Sequence, residues 1–384
     1  VGLIRFRFTD NHQGWCLEDV YFDDLTLLVG ASGAGKSRIL EAILTVRDVA
    51  LGELHTPFDC SWELELSTAG RHLLWRVQTA RSRDTTGAAD QPRFGGRSGR
   101  ADLLEEAIQD LDSNEYIVKR SPDEFLYLNK SITQLTKAIS SISLLDDLND
   151  LKLFFWRINI SHADAVGTTP VPITAEGVDA ALEGFTKTGS DSDILRLALM
   201  FQEKVPKHFD LLKDRFRETF PTVEDIRIDV VKASLNNTSV TSELAALIKE
   251  KGTKGWIPLH LISTGMRRSL ILLFEIGLLP DTVFLLDDFE NGLGVNCIDQ
   301  VTDFILDPPL DDRIKSGNVQ QIIVTSHHPY IINHIPMENW RVVTRHGSVV
   351  RAVAPEDIPG LRGDSRHEAF LRLLNTGEYR HGIS

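Results

Sequence analysis

Apolar and polar positions alternate over Leu3-Ile4-Arg5-Phe6-Arg7-Phe8, which predicts a half-buried strand. Val20-Tyr21-Phe22 leads into a continuous apolar run, Leu25-Thr26-Leu27-Leu28-Val29. That run reads as a buried strand, and Arg38-Ile39-Leu40-Glu41-Ala42-Ile43-Leu44 then takes helical spacing. Alternation returns at residues 62–66 and 73–77, with Gly70 between them, and this predicts a hairpin. A second hairpin is predicted from residues 116–119 and 124–128 around Ser121-Pro122-Asp123. Residues 132–158 are spaced as a helix. After Pro170 and Pro172, residues 178–220 read as two or three helices broken near Gly189 and Pro206. Residues 223–231 read as a strand, 270–279 as an apolar helix, and 283–286 and 321–325 as buried strands.

The eight residues between the buried strand and the first helix bring in chemistry. Gly30-Ala31-Ser32-Gly33-Ala34-Gly35-Lys36-Ser37 fits G-x-x-x-x-G-K-[ST] at every fixed position, in the strand–turn–helix context that a phosphate-binding loop needs. Glycines there let consecutive N–H groups converge on one phosphate, and the new helix adds its positive end. Lys36 is expected to reach the β- and γ-phosphates of a nucleoside triphosphate and Ser37 to ligate Mg²⁺. The buried strand at 283–286 ends in Asp287-Asp288. In phosphate-loop NTPases this place holds the Mg²⁺-linked Asp, here Asp287, followed by the carboxylate that polarises the attacking water, here Asp288. The strand at 321–325 runs into Ser326-His327-His328. A histidine at that strand end reads as a γ-phosphate contact; strand register favours His327, with His328 kept open. Ser263 and Gly265, ahead of the apolar helix, form an anion site or a plain N-cap.

Composition narrows the classes. The chain has 384 residues, 42% of them hydrophobic, enough for one large or two modest domains. A net charge of −14 argues against a broadly basic nucleic-acid surface. One local exception is residues 81–100, where Arg81, Arg83, Arg93, Arg97 and Arg100 make either a solvated loop or a phosphate-backbone contact. Cys16, Cys60 and Cys297 lie far apart, which implies no zinc site or disulfide framework and points to a reducing compartment. No apolar run reaches membrane-spanning length and Val1 opens a strand-like segment. A soluble, cytoplasmic protein is expected.

The order of these motifs resembles the ABC-class ATPases, and within them the SMC/RecF/OLD-like group of DNA-associated and antiviral ATPases. Ser263-Thr264-Gly265-Met266 resembles the signature motif, with Thr264 and Met266 departing from the usual glycine and glutamine. Leu285-Leu286-Asp287-Asp288-Phe289-Glu290-Asn291-Gly292-Leu293 resembles the segment usually written DEIENGL, with Asp288 in place of glutamate. Thr325-Ser326-His327 resembles the switch-histidine segment. Gln134 is the candidate Q-loop glutamine, or else a solvated helix residue. The tail, residues 366–383, resembles the C-termini of stand-alone ATPases of anti-phage operons, such as the Septu type.

The resemblance implies an α/β fold: an ABC-type head with a mixed sheet around the phosphate loop and an antiparallel β subdomain, from residues 1–150 and 251–355. A helical lobe at 151–250 would sit between the phosphate loop and the signature motif, and 356–384 would form a tail. It also implies ATP and Mg²⁺, sandwiched between two heads so that Ser263 and Gly265 face the partner's phosphates. The function implied is an ATP-hydrolysing sensor or switch subunit that controls a separate effector, such as a nuclease, in anti-phage defence. Slow turnover is expected because Asp288 is one methylene short. A RecF-like DNA-repair ATPase and a transporter ATPase subunit stay open as alternatives.

Overall fold

Strands form over the alternating stretches and over the apolar runs at 25–29, 283–286 and 321–325. The computed structural model describes residues 2–52, 59–81, 101–128, 130–131, 140–143, 145, 148–161, 194–235, 239–279, 282–295, 297–307, 320–358, 361, 368 and 371–372. In chain order the strands are β1 (Gly2–Asp10), β2 (Trp15–Tyr21), β3 (Leu25–Val29), β4 (Cys60–Thr68), β5 (Arg71–Arg81), β6 (Ala101–Asp110), β7 (Glu115–Arg120), β8 (Phe125–Tyr127), β9 (Lys130–Ser131), β10 (Ile158–Ser161), β11 (Val223–Leu235), β12 (Ser239–Glu250), β13 (Ile257–Pro258), β14 (Val283–Leu286), β15 (Gln321–Thr325), β16 (Trp340–His346) and β17 (Val349–Val353). The helices are α1 (Lys36–Leu51), α2 (Asn149–Trp156), α3 (Ile194–Lys204), α4 (Pro206–Thr219), α5 (Thr264–Leu278), α6 (Ile298–Leu306) and α7 (Pro329–His334). The fold is α/β. The chain divides into two compact units, one of residues 1–160, 281–287 and 320–384, the other of 161–280 and 288–319.

The first unit is built on a mixed sheet in the order β10-β14-β15-β3-β16-β17-β2-β1-β4-β5-β6-β7-β8-β9. Its centre is parallel: β14 pairs with β15, β15 with β3, and β3 with β16. From β2 outward through β1 and β4 to β9 each pairing is antiparallel. Buried central strands read as unbroken apolar runs because both faces are covered, whereas the outer strands alternate because one face meets water. The inward face carries an aromatic line, with Trp62 edge-on to Trp75 at 5.3 Å and Trp75 edge-on to Phe155 of α2 at 5.2 Å. Helix α1 adds Ile39, Leu40, Ile43 and Val46 to the same core. The helical spacing over residues 132–158 is met by α2 over Asn149–Trp156, and at Ile158 the chain turns into β10, an edge strand of this sheet. Residues 132–139 of that reading lie outside the described residues.

In the second unit, α4 packs closely on α5. A Cβ at Gly277 would meet Leu212 Cδ2 at 2.5 Å, and His208 Nε2 lies 2.7 Å from Gly277 O. The break between α3 and α4 falls at Val205, just before Pro206, as the proline requires. The stretch 151–250, read as a helical lobe, holds these two helices and also a long antiparallel hairpin, β11 with β12, in which Leu235 pairs with Ser239.

Candidate nucleotide site

Parallel register brings the sequence motifs to one edge. Leu286 of β14 aligns with Val324 of β15, and Thr325 aligns with Leu28 of β3. The residues that follow each strand therefore leave at the same carboxyl ends, where α/β sheets bind ligands. The phosphate loop begins at Gly30 because β16 passes too close for a side chain. A Cβ there would stand 2.3 Å from Val343 O. Gly33 and Gly35 hold φ of +83° and +107°, the left-handed region that other residues resist. Ala34 is buried, and Ala31, Ser32 and Gly33 edge the turn towards solvent. Helix α1 starts with Gly35 as N-cap, with no capping side chain and no acidic residue in its first turn. Its positive end thus faces the loop without a built-in anion.

Lys36 is 5% exposed. Its Nζ donates to Gly30 O at 2.9 Å and to Ala31 O at 3.1 Å, and lies 3.5 Å from His327 Nδ1. The ammonium is folded onto the carbonyls of its own loop. Ser37 Oγ donates to Asp287 Oδ1 at 2.9 Å, and Thr325 Oγ1 donates to the same oxygen at 2.7 Å. Two hydroxyls and a carboxylate beside a buried ammonium make an oxygen-rich corner suited to a hard divalent cation. Lys36, Ser37, Asp287 and His327, read separately from the sequence, are thus in one cluster. Thr325 is the member that the sequence reading did not single out. It is fully buried at the carboxyl end of β15, and it reaches Asp287 because β15 runs parallel to β14. His328 is used differently: its Nδ1 accepts from Tyr330 N at 3.3 Å as the cap of α7.

Ser263, Gly265 and Asp288 belong to the second unit. Ser263 is the N-cap of α5 in the second unit, its Oγ accepting from Met266 N at 3.3 Å. Gly265 is set against another turn, since a Cβ there would lie 3.3 Å from Gly294 N and 3.5 Å from Gly292 O. Asp288, also in the second unit, has a φ of +43°, and its carbonyl accepts from Asn291 N at 2.8 Å. Gln134 and residues 82–100 of the arginine-rich stretch lie outside the described residues.

The profile of the family described as "AAA domain, putative AbiEii toxin, Type IV TA system" matches residues 25–333. The chain belongs to this family. The match spans the phosphate loop, Ser263, Asp287, Asp288 and His327 of this AAA-domain protein. No match was found among curated proteins. Among solved structures, the SMC head bound to the C-winged helix domain of ScpA is 14% identical, with 92% of this chain and 98% of that one covered and a TM-score of 0.46. The SMC head domain from Thermotoga maritima is 12% identical, with 92% and 99% covered and a TM-score of 0.42. The Smc head with an extended coiled coil, bound to the C-terminal domain of ScpA and derived from Pyrococcus furiosus, is 13% identical, with 91% and 95% covered and a TM-score of 0.43.

The AAA-domain chain thus carries a P-loop nucleotide site whose residues fit a triphosphate and Mg²⁺. The loop from Gly30 to Ser37 would hold the phosphates, and Ser37 with Asp287 would hold the ion. Among the described residues, no helix is long and apolar enough to cross a membrane.

Proposed function

We propose that the protein is an ATP-hydrolysing switch that controls a separate effector, a nuclease class of partner, in anti-phage defence. The observation that carries the hydrolytic part is the shared Asp287 oxygen, which takes hydrogen bonds from both Ser37 and Thr325 beside the Lys36–His327 contact. Phosphate-loop, strand-end acid and strand-end histidine are assembled in one unit. Bound Mg²⁺ would neutralise charge on the β- and γ-phosphates. Lys36 leaves its loop carbonyls for those phosphates, His327 stabilises charge on the γ-phosphate, and Asp288 is the base that draws the proton from water.

Control of a partner rests on two supports. The family's description names a putative toxin of a toxin–antitoxin system, that is, one component of a two-component system. The second unit exposes Ser263 at a helix start, and Leu261, two residues before it, is 67% exposed. A serine hydroxyl and helix N-terminus with an apolar neighbour suit a partner head that brings its own phosphates.

Lys36→Ala tests the central claim. Loss of one charge-assisted contact should weaken ATP binding by about ten- to a hundredfold and remove turnover. Isothermal titration and phosphate release measure both. A variant that binds and hydrolyses ATP as the native chain does would end this reading.

A further inference from the structure

The antiparallel strands of the first unit have two faces. One carries Trp62, Trp75 and Val77 into the core that α1 joins. Alternation sends their neighbours to the opposite face. Register lays these neighbours in two cross-strand rows. Thr9, Ser61, Gln78 and Glu105 form one row over β1, β4, β5 and β6, and Arg7, Glu63, Arg76 and Ala107 form the next. Ser61 is short, while Arg7, Glu63 and Arg76 beside it are long, so the surface dips over Ser61. The dip is a groove of about 430 Å³ whose lining includes Arg7, Ser61, Glu63, Arg76, Gln78 and Glu105. That volume is in the range of small-molecule sites.

The charges of the groove are unequally committed. Arg7 is paired with Asp19 at 2.6 Å, and Glu63 is drawn to Arg5 at 3.3 Å. Arg76 stands directly opposite Glu63 and diagonally across from Glu105, at a Cα separation of roughly 7–8 Å. It pairs with neither. Among the described residues its side chain makes no hydrogen bond or ion pair, and its Nε is buried without a partner. The side chains of Glu105, Gln78 and Ser61 are likewise uncommitted among the described residues. A buried guanidinium nitrogen left open is costly, and a ligand from outside removes the cost. We propose that this groove binds a small zwitterion of the amino-acid type, a free α-amino acid or a dipeptide, with its carboxylate on Arg76 and its ammonium on Glu105. The guanidinium fork matches a carboxylate. One uncommitted cation and one uncommitted anion call for a ligand with one charge of each sign. A plain anion would satisfy Arg76 and then stand beside Glu63 and Glu105 with nothing to offset them. Gln78 lies between the two charged side chains, two residues beyond Arg76 on β5 and opposite Glu105, where its amide meets the middle of the ligand.

The groove is on the face turned away from α1, so the proposal does not depend on the nucleotide reading. The full chain is titrated calorimetrically with each standard α-amino acid and each glycyl dipeptide. The tightest binder is then compared with its amide, which lacks the carboxylate, and with its N-acetyl form, which lacks the ammonium. Saturable binding is expected for at least one of the amino acids or dipeptides, and which of the two classes binds tells the free amino acid from the dipeptide. Each capped form should bind about tenfold more weakly or worse. Arg76→Gln should lose affinity for the free ligand and no longer distinguish it from the amide. Glu105→Gln should no longer distinguish it from the N-acetyl form. ATP affinity should be native in both variants. Absence of binding by every amino acid and dipeptide overturns the proposal, as does a capped form that binds as tightly as the free one, or native affinity in Arg76→Gln. Inorganic phosphate held in a manner that needs Arg76 and ignores Glu105 would make the groove a plain anion site and overturn it too. If Arg76→Gln does not fold, the capped ligands on the native chain still decide.

Discussion

Asp288 shows how backbone and side chain constrain each other. Its φ of +43° is in the left-handed region, which aspartate tolerates better than most residues because its short polar side chain bonds locally. Glutamate lacks that advantage. The shorter acid at this position therefore suits the turn, even though it withdraws the carboxylate by about 1.5 Å, the length of one C–C bond. A displacement of that order can cost roughly 10²-fold in rate. Slow hydrolysis is the expected result. Asp288→Asn keeps the left-handed preference and removes only the base, so it should bind ATP normally and lose nearly all turnover. Asp288→Glu should not exceed the native rate, because lengthening the acid is offset by strain in the turn. Single-turnover hydrolysis of the three proteins decides it: native turnover in Asp288→Asn would take Asp288 out of the base role.

At the scale of elements, the outer face of the antiparallel strands is joined by charge. Arg5 of β1 donates to Asp19 of β2 at 2.8 Å and to Glu65 of β4 at 3.1 Å, and Arg7 reaches Asp19 at 2.6 Å. Partial burial works to raise the pKa of Asp19, but the hydrogen bonds from Arg7 and Arg5 outweigh it and hold the carboxyl below its usual 3.8. A depressed carboxyl stabilises the fold above its unfolded pKa, and that contribution is lost as pH falls through the folded value. Asp19→Asn should cost about 1 kcal/mol at pH 7, a figure kept small by solvent screening. The penalty should shrink once pH drops below the usual carboxylate range. Urea denaturation from pH 7 to pH 3 reads the difference, and a penalty that does not change with pH would assign it to packing.

Elements with clean patterns were legible in the sequence. The β4–β5 and β7–β8 hairpins follow alternation, and the phosphate loop is dictated by its own glycines. β6 was not read, because Glu106 occupies a fully buried position in it. Burial raises the pKa of that carboxyl; Arg120 at 3.5 Å and the Ser141 and Trp75 donors oppose the rise. A polar residue pointing inward breaks the period that identifies a strand, and only the tertiary partner explains it. β12 was missed because Ala245 and Ala246 blur the alternation. In the site, Lys36, Ser37, Asp287 and His327 were readable one motif at a time. Thr325 gained its role only through the parallel register of β14, β15 and β3, which no local pattern specifies.

For the whole molecule the question is whether Ser263 acts within its own chain or across to a second copy. Within the chain it has a visible task, capping α5 through Met266 N. Replacing it by alanine would remove the cap, at about 1 kcal/mol, and so confuse a fold effect with a binding effect. Aspartate avoids this, because it caps as well as serine does. It also places a negative charge where the proposed partner's γ-phosphate would arrive, and like charges at contact distance oppose association strongly. Ser263→Asp should therefore keep native stability and bind ATP to each subunit normally, yet fail to pair when ATP is added. The native chain should go from monomer to dimer with ATP, most clearly in the Asp288→Asn background, where hydrolysis does not dissolve the pair. Sedimentation velocity with and without ATP, alongside titration, gives both quantities. ATP-driven pairing of Ser263→Asp at the native level would confine Ser263 to its cap, and the switch would then have to work through some surface other than this helix start.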